Sequence, residues 1–173
     1  PDVYGQLYRD YTVVIEYSYD PLARLAEATY STGLAFAYEY DAMNNWLTKT
    51  ETTPLSGTIV TTYTYNAADQ LVTARSSADG ITWHYTFDDR GSLRRQTPGG
   101  TAPAAGEIRY SYGAAGQLVA VELYVAGDYT TLSTAAYNGQ GERTRLTTWA
   151  AGTPVTITYV LARGAPLVAD DGT

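Results

Sequence analysis

Apolar residues along this chain alternate with polar ones at a period of two. In "LAFAYEY", residues 34 to 40, Leu34, Phe36, Tyr38 and Tyr40 fall on one face of an extended segment, because successive side chains of a strand point to opposite faces. Short stretches of this kind run from one end of the chain to the other. Clusters of Gly, Asn, Asp and Pro separate them, and those residues favour turns. The pattern predicts an all-β chain of short strands.

The strands are phased. The phrase "YSYD", ending at Asp20, returns as "YEYD" at Asp41, "YTYN" at Asn66, "YTFD" at Asp88 and "YSYG" at Gly113. Weaker copies end at Asn138 and Ala162, and a partial one opens the chain at Asp2. With the fourth residue as marker, successive full copies stand 21, 25, 22, 25, 25 and 24 residues apart. Three residues after each marker come Gly5, Ala23, Asn44, Asp69, Gly91, Gly116, Gly141 and Ala165, mostly types that tolerate positive φ. Five residues after it come Leu7, Leu25, Trp46, Leu71, Leu93, Leu118, Arg143 and Leu167, all apolar except Arg143.

This is the sequence of a hairpin. Asp or Asn at the marker can accept from the backbone amide two residues on and hold a tight turn. A residue at positive φ then reverses the chain. A second reversal is expected mid-repeat at Gly33, Gly57, Gly80, Gly106, Gly127 and Gly152. Each repeat is thus two strands and two turns. One hairpin alone is marginal, so stability must come from stacking neighbours.

Composition agrees. Tyr, which suits half-buried strands, occurs 17 times, against 2 Phe and 1 Met. The net charge is −7, and the few basic residues form no stripe able to follow a phosphate backbone. Neither nucleic acid nor an anionic membrane surface is expected as a partner. There is no Cys, so disulfides and thiolate metal sites are excluded, and no apolar run has the roughly 18 residues of a membrane-spanning helix. The chain opens at Pro1 and ends on Asp170-Asp171-Gly172-Thr173. It reads as one array of seven to eight repeats, residues 1–173, cut from a longer protein.

The phrases "YSYDPLARL", "YTFDDRGSL" and "YSYGAAGQL" closely resemble the RHS, or YD, repeat, whose usual form is Tyr-x-Tyr-Asp-x-x-Gly-Arg-Leu. The resemblance covers nearly the whole chain. Ala23 replaces the glycine, Phe87 the second tyrosine, and Gly113 the aspartate. "TYVLARGAPLVADDG" is similar to the segment near the end of such arrays, with Ala162 in place of an aspartate. The resemblance implies a fold in which stacked β-hairpins form a curved, spirally wound sheet, part of a hollow β-shell. In bacterial members, polymorphic toxins and toxin complexes among them, the shell encloses a C-terminal toxin. Animal teneurins use a related shell in adhesion. The bacterial shell is closed by a core segment that cleaves itself with an aspartate, and none of those catalytic residues can be carried onto this sequence.

The implied function is a structural segment of a secreted or surface protein that encapsulates a C-terminal toxin or effector. Its partners would be that cargo and the flanking repeats. The alternative is an adhesion module that binds glycans or another protein. No enzymatic activity and no cofactor are expected.

His84, the only histidine, sits in "WHYTF" between aromatic residues. A Ser-His-Asp triad would have to use it, and no Gly-x-Ser-x-Gly elbow accompanies it. A structural role fits better. Asp20, Asp41 and Asp88 could be taken as acid/base carboxylates, but their recurrence at one repeat position points to turn capping. Arg94-Arg95 and Arg143-x-Arg145 read as solvated strand faces or cross-strand ion pairs, and Asp170-Asp171 as a loop. No catalytic, cofactor-binding or metal-binding residue is assigned.

Overall fold

In the computed structural model of the chain, residues 12–100, 102–150, 152–162 and 165–170 are described. The partial repeat at Asp2, with Gly5 and Leu7, lies outside them, as does Asp171. Among the described residues there are fourteen strands and no helix. They fall into two units, Pro1–Tyr63 with Ser76–Gly80, and Thr64–Arg75 with Ile81–Thr173.

The first unit contains β1 (Ile15–Tyr19), β2 (Leu25–Tyr30), β3 (Ala35–Tyr40), β4 (Trp46–Thr53) and most of β5 (Gly57–Tyr65). The second contains most of β6 (Leu71–Ser76), then β7 (Thr82–Phe87), β8 (Leu93–Pro98), β9 (Ile108–Tyr112), β10 (Leu118–Val125), β11 (Asp128–Tyr137), β12 (Arg143–Ala150), β13 (Thr153–Ala162) and β14 (Ala165–Asp170). Within each unit the strands lie in sequence order. Consecutive strands such as β1 and β2, or β7 and β8, pair antiparallel. Within each unit every connection is therefore a hairpin.

The marker turns are built alike. The amide of Asp20 donates to the carbonyl of Arg24, and the amide of Ala23 to the carbonyl of Asp20. The same two bonds recur at Asp41, Asn66, Asp88, Gly113 and Asn138. All six residues three positions on have positive φ: Ala23 (60°), Asn44 (73°), Asp69 (56°), Gly91 (82°), Gly116 (83°) and Gly141 (82°). The mid-repeat glycines also have positive φ, as the hairpin reading requires.

The marker hairpins at Asp20, Asp41, Asp88, Gly113 and Asn138 close on a bulge. The second aromatic residue faces the residue five after the marker, as in Tyr19↔Leu25, Tyr40↔Trp46, Phe87↔Leu93, Tyr112↔Leu118 and Tyr137↔Arg143. The register shifts beside each pair. A bulge of this kind bends the strand and increases its local twist. The last copy differs. Ala162 pairs directly with Ala165, so only residues 163 and 164 connect β13 to β14. The Leu161↔Leu167 pairing expected around an Ala162 marker is replaced there by Leu161↔Pro166 and Ala162↔Ala165.

There is little core. Among the described residues the buried apolar side chains are Ala28 and Ala74. Ala28 stands between Tyr17 and Phe36 on the flanking strands, and Ala74 beside Trp83. Small residues sit under large rings, and most other side chains are half-buried on one face or the other.

Candidate functional site

Two sets of residues do specific work. The first is the repeated turn, with the bonds that tie one repeat to the next. Oδ1 of Asp20 accepts from the amides of Leu22 and Arg24, both at 2.9 Å. Asp41, Asn66, Asp88 and Asn138 accept in the same two places. The expected acceptor role is thus met, with a second bond that was not anticipated. Gly113 has no side chain for either.

The residue four after the marker completes the turn, and its chemistry follows the marker's. Carboxylate markers meet donors: Arg24 Nε donates to Asp20 Oδ2 at 2.7 Å, and Asn45 Nδ2 to Asp41 Oδ2 at 3.0 Å. Amide markers meet acceptors: Asn66 Nδ2 donates to Gln70 Oε1 at 2.8 Å, and Asn138 Nδ2 to Glu142 Oε2 at 2.6 Å. The bonds hold the carboxyls below their ordinary value. At Asp20 and Asp88 the leading cause is the backbone amide of Arg24 and of Ser92 respectively. At Asp41, desolvation pushes upward, and donation from Asn45 and Met43 outweighs it.

Neighbouring repeats are stapled by the second tyrosine of the phrase. The Tyr40 hydroxyl donates to the Leu25 carbonyl of the preceding repeat at 2.8 Å, and Tyr137 does the same to Leu118 at 2.8 Å. Arg24 adds to the first staple. Its guanidinium lies over the Tyr40 ring at 4.6 Å and donates to the Asp41 carbonyl at 2.8 Å. Arg90 reaches the Ala114 carbonyl at 2.9 Å. Arg143, the charged exception among the apolar positions, lies over the Tyr159 ring at 5.1 Å and bonds its hydroxyl.

The second set is a buried carboxylate in the run β8 to β11. Glu107 is fully buried. Its Oε1 is 3.0 Å from Arg95 Nε and 3.7 Å from Arg109 Nε, and it accepts from the Tyr129 hydroxyl. Its Oε2 accepts from Thr97 at 3.3 Å. The Arg109 guanidinium lies 3.5 Å from the centre of the Tyr129 ring, which packs 4.9 Å from Tyr124. Burial, then the bond to Glu107, pushes the Tyr129 hydroxyl up, against the pull of Arg109 and Arg95. Arg95 and Arg109 stand directly opposite each other across β8 and β9. Like charges so placed repel, and Glu107 is the anion that lets them coexist.

Sequence reasoning missed Glu107, Arg109 and Tyr129. The signal was available as a break in the repeat. Six residues before the other markers stand Val14, Ala35, Val60, Thr82, Leu132 and Thr156, and only here an acid. Arg95, expected on a solvated strand face or in a cross-strand ion pair, pairs with Glu107, which stands just before β9. Arg94 lies next to it on β8, where its charge helps hold down the Asp88 carboxyl. Arg143 and Arg145 lie on β12. His84 is half-buried on β7, opposite Thr73 and Thr97. A Cβ at Gly100 would meet its Nε2 at 2.8 Å, so the ring rests on bare backbone. No catalytic constellation gathers around His84 among the described residues, and no group of three or more His, Asp and Glu is placed to hold a metal ion there.

Residues 43–81 match the RHS Repeat family model. That stretch carries an RHS repeat. That match contains the Asn66 turn, and the same turn geometry recurs on both sides of it, at Asp41 and at Asp88. No curated protein sequence matches the chain. Among solved structures, the crystal structure of TcdB2-TccC3-Cdc42 is similar over 91% of this chain, at 13% identity and a TM-score of 0.50. The Photorhabdus luminescens Tc holotoxin pore with a TccC3 mutation is similar over 90%, at 14% identity and a TM-score of 0.50. This chain spans about a tenth of the length of each. The likeness is one of fold, an all-β array of stacked hairpins.

Proposed function

We propose that this RHS array is a non-enzymatic wall segment of a secreted or surface shell, and that the shell encloses a toxin or effector carried at the C-terminal end of the same polypeptide. The observation that carries the reading is the absence of a centre. Ala28 and Ala74 are the buried apolar side chains among the described residues, and the side chains that recur in phase, from Asp20 to Tyr137, serve turns and staples. Such a sheet is a surface extended by adding repeats, and its work is to separate two spaces. Its partners would be the flanking repeats and the enclosed cargo. Protease treatment of the full protein tests this. The C-terminal domain should be protected in the parent protein and digested when residues 1–173 are deleted. Equal protection after the deletion would remove this stretch from the wall.

A second reading, adhesion to a glycan, is favoured by one feature. Trp46 is 42% exposed and packs 5.1 Å from Tyr38 and 6.3 Å from Tyr63. An exposed ring so supported can stack on a sugar. Saturable quenching of tryptophan fluorescence by an oligosaccharide, lost in Trp46→Ala, would support adhesion over containment.

A further inference from the structure

β8 and β9 pair at only two positions, Arg95↔Arg109 and Gln96↔Ile108. Towards the Asp88 and Gly113 turns the strands part, and a slit opens between them. Its lining includes Thr86, Arg94, Arg95, Arg109, Ser111 and Glu122. Three arginines and one acid, Glu122, line the slit in a chain with 11 basic and 18 acidic side chains. Glu107, and Asp88 beside Arg94, offset part of that charge. Arg95 and Arg109 approach Glu107 through Nε, and their side chains stay 34% and 40% exposed. Donors also outnumber acceptors locally. Buried Arg109 Nε, 3.7 Å from Glu107, has no hydrogen-bond partner. Two hydroxyls, Thr86 and Ser111, add further donors to the lining.

We propose that this slit binds a tetrahedral oxyanion, a phosphate or sulfate group borne by a ligand of the full protein. Guanidinium forks match such oxygens two at a time, and their bonds are charge-assisted. Three arginines and two hydroxyls exceed what a planar carboxylate can use. Glu122, opposite Arg109 in register, limits affinity and gives the site a built-in test. The site is independent of the shell reading, since it depends only on how β8 and β9 part.

Titration calorimetry of the full protein with inorganic phosphate and with inorganic sulfate, at low ionic strength, should show saturable binding of at least one. Arg94→Gln, which leaves the Glu107 cluster intact, should weaken it about tenfold or more, and Glu122→Gln should strengthen it several-fold by removing a like charge. Arg145→Gln on β12 should change nothing. Preference for sulfate at every pH points to a sulfate ester. Phosphate binding that strengthens as pH rises through about 6 to 7, where the dianion forms, points to a phosphate ester. The absence of saturable binding overturns the proposal, as does an equal loss in Arg145→Gln. Should circular dichroism show Arg94→Gln to be unfolded, Glu122→Gln decides, and unchanged affinity in it also overturns the proposal.

Discussion

At the scale of single residues, the repeat phrase is a set of hydrogen-bond assignments. The second tyrosine is needed for its hydroxyl as well as its ring. Tyr40→Phe and Tyr137→Phe keep the ring and lose a bond to a carbonyl, so each should lower unfolding free energy by about 1 kcal/mol in urea titration. Marker and fourth residue form a matched pair. Asn138→Asp would set a carboxylate against Glu142, where an amide now donates at 2.6 Å. The variant should melt below the parent at neutral pH, and Asn138→Asp with Glu142→Arg should recover, because that pair reproduces Asp20 and Arg24. Gly91→Val should cost about 1–3 kcal/mol. Gly91 sits at φ 82° in space already bounded by Gln70 Nε2, 3.3 Å from where a Cβ would lie, and a β-branched residue is strained there.

At the scale of elements, turn chemistry sets acid sensitivity. The Asp20, Asp41 and Asp88 carboxyls lie below their ordinary value of 3.8 in the folded chain. A folded-state value below the unfolded one means stability that is fully present above pH 3.8 and lost as pH falls through the lowered values. Melting temperature should therefore fall as the pH drops below about 4. The Asp20→Asn, Asp41→Asn and Asp88→Asn triple variant should show a shallower fall, since Asn66 and Asn138 already show that an amide accepts the same two backbone bonds. The run β8 to β11 is held differently, by one buried carboxylate between two opposed arginines. Glu107→Ala leaves that pair without its counter-ion and should cost about 3–5 kcal/mol, at least as much as any single turn variant in the same titration.

At the scale of the whole molecule, stability is distributed along the array. Strands neighbour one another in sequence order within each unit, and few side chains are fully buried. Damage should therefore stay local, as in other linear repeats. Hydrogen exchange on Glu107→Ala should show lost protection in β8 to β11 and near-parent protection in β1 to β4. Uniform loss across all strands would mean the array unfolds as one cooperative block.

Strand type, hairpin boundaries and the positive-φ positions were legible in the sequence, because each rests on interactions within a few residues and is written out repeatedly. Ala23 and Asp69 adopt the turn conformation that Gly91 does, so position in the repeat outweighed residue preference. The missing marker at Ala162 likewise signalled a departure, and the chain makes a shorter hairpin there. Contacts between repeats were not legible. That Tyr137 reaches the Leu118 carbonyl, that Arg95 faces Arg109, and that Glu107 is buried between them all depend on register across strands far apart in sequence. A one-residue slip would turn each of those side chains to the other face. Local chemistry determined the repeat, and only the pairing of one repeat with the next decided which charges meet, which are buried, and where the strands part.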